Sequence, residues 1–146
     1  MEPSAAMVQE ARRYHTGSPI HWVEADSLPG LERTLQRGQV FDFILLSAVW
    51  MHLPQSQHRH ALRTLVSLMK PGARMAITLR HGPPAPGQEV YETSAVDIEV
   101  LCRDHAACVE RRHENVADRG GRAEVSWTQL VIRLPDNGSI SDPPRP

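Results

Sequence analysis

A chain of 146 residues, 40% of them hydrophobic, is long enough to bury one core and short for more than one full domain. Its formal net charge of -1, from 16 basic and 17 acidic residues, gives no electrostatic case for nucleic acid or an anionic membrane as partner. Two cysteines without a C-x-x-C spacing, and no charged segment leading into an apolar core at the N-terminus, point to a reduced, cytoplasmic setting.

Residues 1–14 carry Ala5, Met7, Val8 and Ala11 as a loose apolar stripe with Glu10, Arg12 and Arg13 opposite, which predicts a helix. The cluster His15-Thr16-Gly17-Ser18-Pro19 ends it, because Gly suits a C-terminal cap and Pro cannot continue a helix. Residues 20–26, IHWVEAD, alternate and read as a strand ending in Asp26. Ser27-Leu28-Pro29-Gly30 then turns the chain, and residues 31–37, with Leu31 and Leu35 on one side and Gly38 behind, predict a short helix.

Residues 41–54, FDFILLSAVWMHLP, are the stretch around which the rest of the chain is organised. An unbroken apolar run bounded by polar signals reads as a central strand buried on both faces of a parallel sheet, with a buried helix turn as the alternative. The loop from Ser47 to Leu53 would leave its carboxyl end, where open α/β sheets place their ligands. The longest apolar run is too short to span a bilayer, which takes roughly 20 residues, and it is flanked by Asp42 and His52.

Residues 55–69 place Leu62, Leu65, Val66 and Met69 at helical spacing, with Gln57, His58, Arg59, Arg63 and Thr64 largely on other faces. Lys70-Pro71-Gly72 stops that helix, and RMAITLR, residues 74–80, is a second buried strand. The prolines and glycines of residues 81–87 make an exposed loop. Ser94 with Asp97 forms a capping signature for a helix whose apolar face is Val96, Val100 and Leu101 and which fades near Ala107.

Residues 108–115 and 125–134 are extended and joined by the turn Asp118-Arg119-Gly120-Gly121, an antiparallel pair. From Pro135 the tail is polar, Pro-rich and expected to be disordered. The organisation read from the chain is one α/β domain, residues 1–134, with a mostly parallel sheet and a C-terminal antiparallel strand, followed by the tail 135–146.

His52 and His81 each lie just beyond the carboxyl end of a predicted strand, which makes them candidates for a base or a substrate-orienting group, with Tyr91 a third. A metal site is not expected. His58 and His60 are two apart on a helix and face different directions, and no cysteine or carboxylate completes a set with His52. Cys102 and Cys108 read as small buried side chains, and Trp22, Trp50 and Trp127 as core or pocket walls, since no basic groove accompanies them.

Asp26-Ser27-Leu28-Pro29 after one strand, FDFILLSAVWMHL in the next and LMKPGARMAITL as helix stop plus strand together resemble the second half of class I S-adenosylmethionine-dependent methyltransferases. The resemblance spans residues 11–134 and implies a Rossmann-like sheet, S-adenosylmethionine as cofactor and a small-molecule acceptor. In the family the acid after the third strand lies beside the adenine ring with the next residue's backbone helping; Asp26 and Ser27, followed by Leu28, match those positions. The loop after the fourth strand lines the cofactor and the methyl-transfer site, and Ser47, Ala48, Val49, His52 and Leu53 match it.

The chain departs from the family where that fold begins. No Gly-x-Gly occurs in it, and the first strand, its glycine-rich turn and the second strand have no counterpart, so the domain reads as truncated. The family order 3-2-1-4-5-7-6 would then become 3-4-5-7-6 through a right-handed crossover. Apolar edges left by such a loss must pair, be covered or associate, so a homodimer or a complementing chain is a possible partner. Two functional readings remain: a methyltransferase whose activity the missing turn puts in question, or a non-catalytic remnant that binds a partner through its open edge.

Overall fold

The structure, a computed structural model, describes residues 2, 4–23, 28, 30, 31, 35, 38–84 and 86–136. The chain divides into two compact units, Met1–Gln39 and Val40–Pro146.

In the first unit, helix α1 spans Ala5–Tyr14. Ser4 caps it, its Oγ accepting the Met7 N–H at 3.4 Å, and Arg12 and Arg13 stand in the last turn, where the helix dipole favours cations. His15 closes the helix by donating its N–H to Ala11 O at 3.0 Å. Val8 is buried, whereas Met7 and Tyr14 are exposed.

The strand expected over residues 20–26 is not formed in its described part: residues 20–23 lie in no sheet, and Val23 O accepts the Glu2 N–H at 3.2 Å instead. Ile20 is exposed and the alternation carries acids in its apolar register, so little apolar area is offered for a sheet to bury. Residues 24–26 lie outside the described residues. Of the helix expected over residues 31–37, Leu31 is helical and accepts the Leu35 N–H at 3.0 Å; the residues between them lie outside the described set.

The second unit is a four-stranded sheet. Strand β1 is Phe41–Leu46, β2 Met69–His81, β3 Cys108–Ala117 and β4 Ser126–Arg133, in the spatial order β1-β2-β4-β3. β1 and β2 run parallel through helix α2, Gln55–Ser67, while β4 pairs antiparallel with both β2 and β3. Helix α3, Ala95–Asp104, links β2 to β3, and Ser94 Oγ accepts the Asp97 N–H at 3.2 Å as the capping signature requires. This is the expected α/β class with a terminal antiparallel strand.

The period of two along β2 puts Met75, Ile77 and Leu79 on one face, each fully buried. Their cross-strand partners are Ile132, Leu130 and Thr128 on β4, and Leu46 stands opposite Ile77 on β1. Ala61, Leu62 and Leu65 of α2 and Ile98 and Cys102 of α3 complete the core, and burying each large aliphatic stabilises by about 1.5–3 kcal/mol. His58, expected on a polar face of α2, is 8% exposed. It stands on the same i, i+3, i+4, i+7 stripe as Ala61, Leu62 and Leu65, so the helix that buries the leucines buries the histidine. Thr64, also expected outside, is fully buried.

Two further expectations are corrected. Residues 41–46 do not form a strand buried on both faces: among the described strands β1 is an edge, and Phe43 is 56% and Leu45 62% exposed. Neighbouring strand β2 covers only one side of it, and Phe43 and Leu45 alternate with the inward-facing Leu46. Lys70-Pro71-Gly72 ends the helix but lies inside β2 as an irregularity between the pairs Phe41–Met69 and Phe43–Arg74. Gly72 has φ +80, its N–H reaches Leu134 O at 2.8 Å, and a Cβ there would sit 2.0 Å from Asp136 Oδ1. The tail is therefore held at its start, with Leu134 N–H on Ala73 O at 3.1 Å, Pro135 buried and Asp136 paired with Arg133; residues 137–146 lie outside the described set.

Candidate functional site

The parallel strands β1 and β2 end on the same side of the sheet, and the candidate site is built on the segments that leave them. After Leu46 the chain turns at Ala48, whose φ of +56 is unusual for a residue with a Cβ. The turn is pinned by its neighbour, since Ala48 N–H donates to Thr78 Oγ1 of β2 at 2.8 Å. A short 3-10 turn, Trp50–His52, comes next. Trp50 is fully buried, with the His58 ring 4.9 Å away, and His58 Nε2–H donates to Leu53 O at 3.0 Å. The loop after β1 is thus fastened to β2 at one end and to the first turn of α2 at the other.

A cleft of about 410 Å3 opens beyond the carboxyl end of β2, lined by Met51, Arg80, His81, Gly82, Pro84, Val90, Tyr91, Glu92 and Thr93. Its far wall is the strap preceding α3. Tyr91 N–H donates to Met51 O at 2.8 Å, and His52 Nδ1–H to Glu89 O at 3.3 Å, so the strap is bonded to the loop after β1. Arg80 sends Nη1 to Gly82 O at 3.0 Å and Nη2 to Pro83 O at 2.6 Å, spending both terminal nitrogens on the loop's own carbonyls. The phenol of Tyr91 donates to Glu89 Oε1 at 2.8 Å, which holds the tyrosine proton and raises its pKa above the ordinary value. His81 Nε2 lies 2.8 Å from Thr128 Oγ1.

Of the residues singled out in the sequence, His81 and Tyr91 line this cleft, together with Met51 of the loop after β1. His52 does not line it; it is exposed and anchors the strap. Ser47 and Val49 are exposed, Ala48 is half-buried with its N–H spent on Thr78, and Leu53 is buried. Leu28 is buried and belongs to the first unit; Asp26 and Ser27 lie outside the described residues.

Thr128 and Gly82 were not found from the sequence. Thr128 had a signal: with Ser126 it is a polar residue on the inward register of VSWTQLVIRL. Gly82 had none, because its need arises from a distant backbone: at φ +105, a Cβ would meet Glu124 O at 2.2 Å.

The residues that the resemblance assigns to S-adenosylmethionine fit it in part. Ser47 and Val49 offer exposed surface beside the cleft's loop, but Leu53 faces the core and nothing in the chain supplies a glycine-rich turn for the methionine part. Among the described residues no group of three His, Cys, Asp or Glu side chains could hold a metal ion, and no helix is long and apolar enough to cross a membrane.

No family model matches the sequence, and no curated protein matches it. Comparison with solved structures places the fold. The chain is similar to a protein from Galdieria sulphuraria described as a putative sarcosine dimethylglycine methyltransferase, with a TM-score of 0.68 and 14% identity over 92% of this chain and 68% of that one. It is also similar to the magnesium protoporphyrin IX methyltransferase of Synechocystis PCC 6803 with bound SAM, TM-score 0.63 and 17% identity over 90% of this chain and 56% of that one. A third is the N-methyltransferase NodS of Bradyrhizobium japonicum WM9, TM-score 0.62 and 18% identity over 90% and 70%. The chain spans little more than half the length of the Synechocystis protein. The fold is that of the class I S-adenosylmethionine-dependent methyltransferases, a Rossmann-like α/β sheet.

Proposed function

We propose that the chain is a methyltransferase domain that binds S-adenosylmethionine at the loop after β1 and a small-molecule acceptor in the cleft beyond β2. The observation that carries this reading is position: the cleft lies outside the carboxyl ends of the parallel pair, where this fold seats its ligands, and Met51 joins it to the loop after β1. Ser47 and Val49 would form the exposed wall beside the cofactor, and the resemblance assigns the adenine contact to Asp26, Ser27 and Leu28. When bound, S-adenosylmethionine supplies an electrophilic methyl group. The chain's part is to position an acceptor against it, which needs few charged groups and a dry wall such as Met51 and Val90. A cytoplasmic setting suits a protein with two free cysteines.

Isothermal titration of the folded protein with S-adenosylmethionine and with its demethylated product tests the reading. Saturable heat supports it, and no heat sinks binding by this chain. Asp26→Ala should weaken that binding without unfolding the protein; unchanged affinity removes the aspartate from the site.

A second reading is favoured by one observation. Among the described strands β1 is an edge with Phe43 and Leu45 exposed, whereas the opposite edge, β3, carries Glu110, Arg111, Arg112, His113 and Glu114 and is interrupted by register shifts. Charged, bulged edges resist pairing and apolar ones invite it. A non-catalytic module that dimerises or binds a partner through β1 would scatter light as a dimer or complex and give no heat with the cofactor. A monomer that binds the cofactor excludes it.

A further inference from the structure

Several of the polar side chains that line the cleft are tied to their own surroundings. Both terminal nitrogens of Arg80 are on the carbonyls of Gly82 and Pro83, the Tyr91 phenol is on Glu89, and Thr93 Oγ1 is on Arg80 O at 3.4 Å. The His81 ring is held at one nitrogen only: its Nε2 lies 2.8 Å from Thr128 Oγ1, and its Nδ1 has no partner among the described residues. His81 stands opposite Ser126 and Thr128 opposite Leu79, so the two side chains are diagonal neighbours on one face of the sheet.

Two proton arrangements satisfy that distance: the threonine hydroxyl donates to a bare Nε2, or Nε2–H donates to the hydroxyl oxygen. Thr128 is 4% exposed and its side chain has no other partner among the described residues. The second arrangement would therefore leave a buried O–H with no acceptor, and buried donors without acceptors are rare in folded proteins. The first leaves only an unused lone pair on the oxygen, a smaller loss.

We propose that Thr128 donates to His81 Nε2, so that the neutral ring carries its proton on Nδ1 and presents an N–H to the cleft. Thr128 is then a positioning residue, and His81 orients a bound molecule through an acceptor oxygen, carbonyl, carboxylate or hydroxyl, instead of removing a proton from it. This deepens the reading of the cleft as the acceptor site and rests on that reading only for the identity of the occupant; the tautomer stands independently of it.

Long-range 1H–15N correlation of the histidine rings, at about pH 8 where an ordinary imidazole is neutral, reads the tautomer directly, with His81→Asn assigning the signals. Nδ1 in the protonated range and Nε2 in the unprotonated range is the expected result; the reverse pattern overturns the proposal. Thr128→Val should shift His81 to a mixture of tautomers and Thr128→Ser should restore the wild-type pattern, whereas an unchanged ring in Thr128→Val removes the threonine's role. Acetamide, a neutral carbonyl probe, should move the Nδ1–H resonance in the wild type, and no movement up to its solubility limit overturns the acceptor-oxygen assignment. Absence of S-adenosylmethionine binding with the tautomer intact would sink the methyltransferase reading alone.

Discussion

The backbone N–H of Tyr91 donates to the carbonyl of Met51 at 2.8 Å, and through this bond the strap before α3 is fixed to the loop after β1. The two segments are distant in the chain, yet they form facing walls of one cleft. The bonds and close approaches that hold the cleft and the sheet beneath it can each be broken by a single substitution with a measurable result.

Gly82→Ala should destabilise the second unit. Its φ of +105 is a region L side chains rarely adopt, and the added Cβ would sit 2.2 Å from the carbonyl oxygen of Glu124, which is backbone and cannot swing aside. Strain of this kind costs about 1–3 kcal/mol before the overlap is relieved. A lower urea midpoint with an unchanged slope is the expected outcome.

The Tyr91 phenol should ionise above the ordinary tyrosine value of about 10, because its proton is held by Glu89 and the neighbouring carboxylate disfavours a second negative charge. Alkaline titration followed by tyrosinate absorbance should show a high transition that is missing in Tyr91→Phe. Glu89→Gln should lower it. A Tyr91 transition that does not respond to Glu89→Gln would mean that the pair is not formed in solution.

Asp118 closes the turn between β3 and β4, accepting from Arg122 Nε at 3.0 Å, Arg122 Nη2 at 2.9 Å and Trp127 Nε1 at 2.9 Å. Arg122 first, then Trp127, holds its carboxyl well below the usual carboxylate range. A folded pKa below the unfolded one contributes stability that is present above the unfolded value, about 3.9, and is lost as pH falls from there through the folded value. Asp118→Asn should therefore lower the urea midpoint at neutral pH, and the gap from wild type should narrow as the pH drops below about 4. A gap that does not change with pH would remove the ionised carboxylate from the account.

His58→Leu keeps bulk beside Trp50 but leaves Leu53 O without its donor at 3.0 Å. The loss of a partner for a buried acceptor costs about 1–3 kcal/mol. Trp50 lies against the ring at 4.9 Å, so tryptophan fluorescence should report the change in the folded state as well as the midpoint of unfolding.

Local signals carried most of the second unit. The alternation of RMAITLR and VSWTQLVIRL, the leucine stripe of α2 and the Ser94 cap each depend on neighbours within a few residues, and each appears where those neighbours put it. The same local reading failed at His58, which it judged by polarity although its position on the stripe was plain, and at Lys70-Pro71-Gly72, which serves a helix end and a strand irregularity at once. Of the cleft's lining, His81 and Tyr91 were singled out in the sequence; His81, expected just beyond a strand end, is the last residue of β2, paired with Ser126.

The amino-acid sequence by itself determined the α/β class and the alternation of strand and helix in the second unit, since periodicity and caps act over one or two turns of chain. Only the tertiary structure decided that β1 is an edge among the described strands, that Arg80 bonds the carbonyls of its own loop, that Gly82 must pass close to Glu124, and that His81 meets Thr128. Those facts depend on strand register and on contacts between distant parts of the chain, where a shift of one residue would exchange every inward side chain for an outward one.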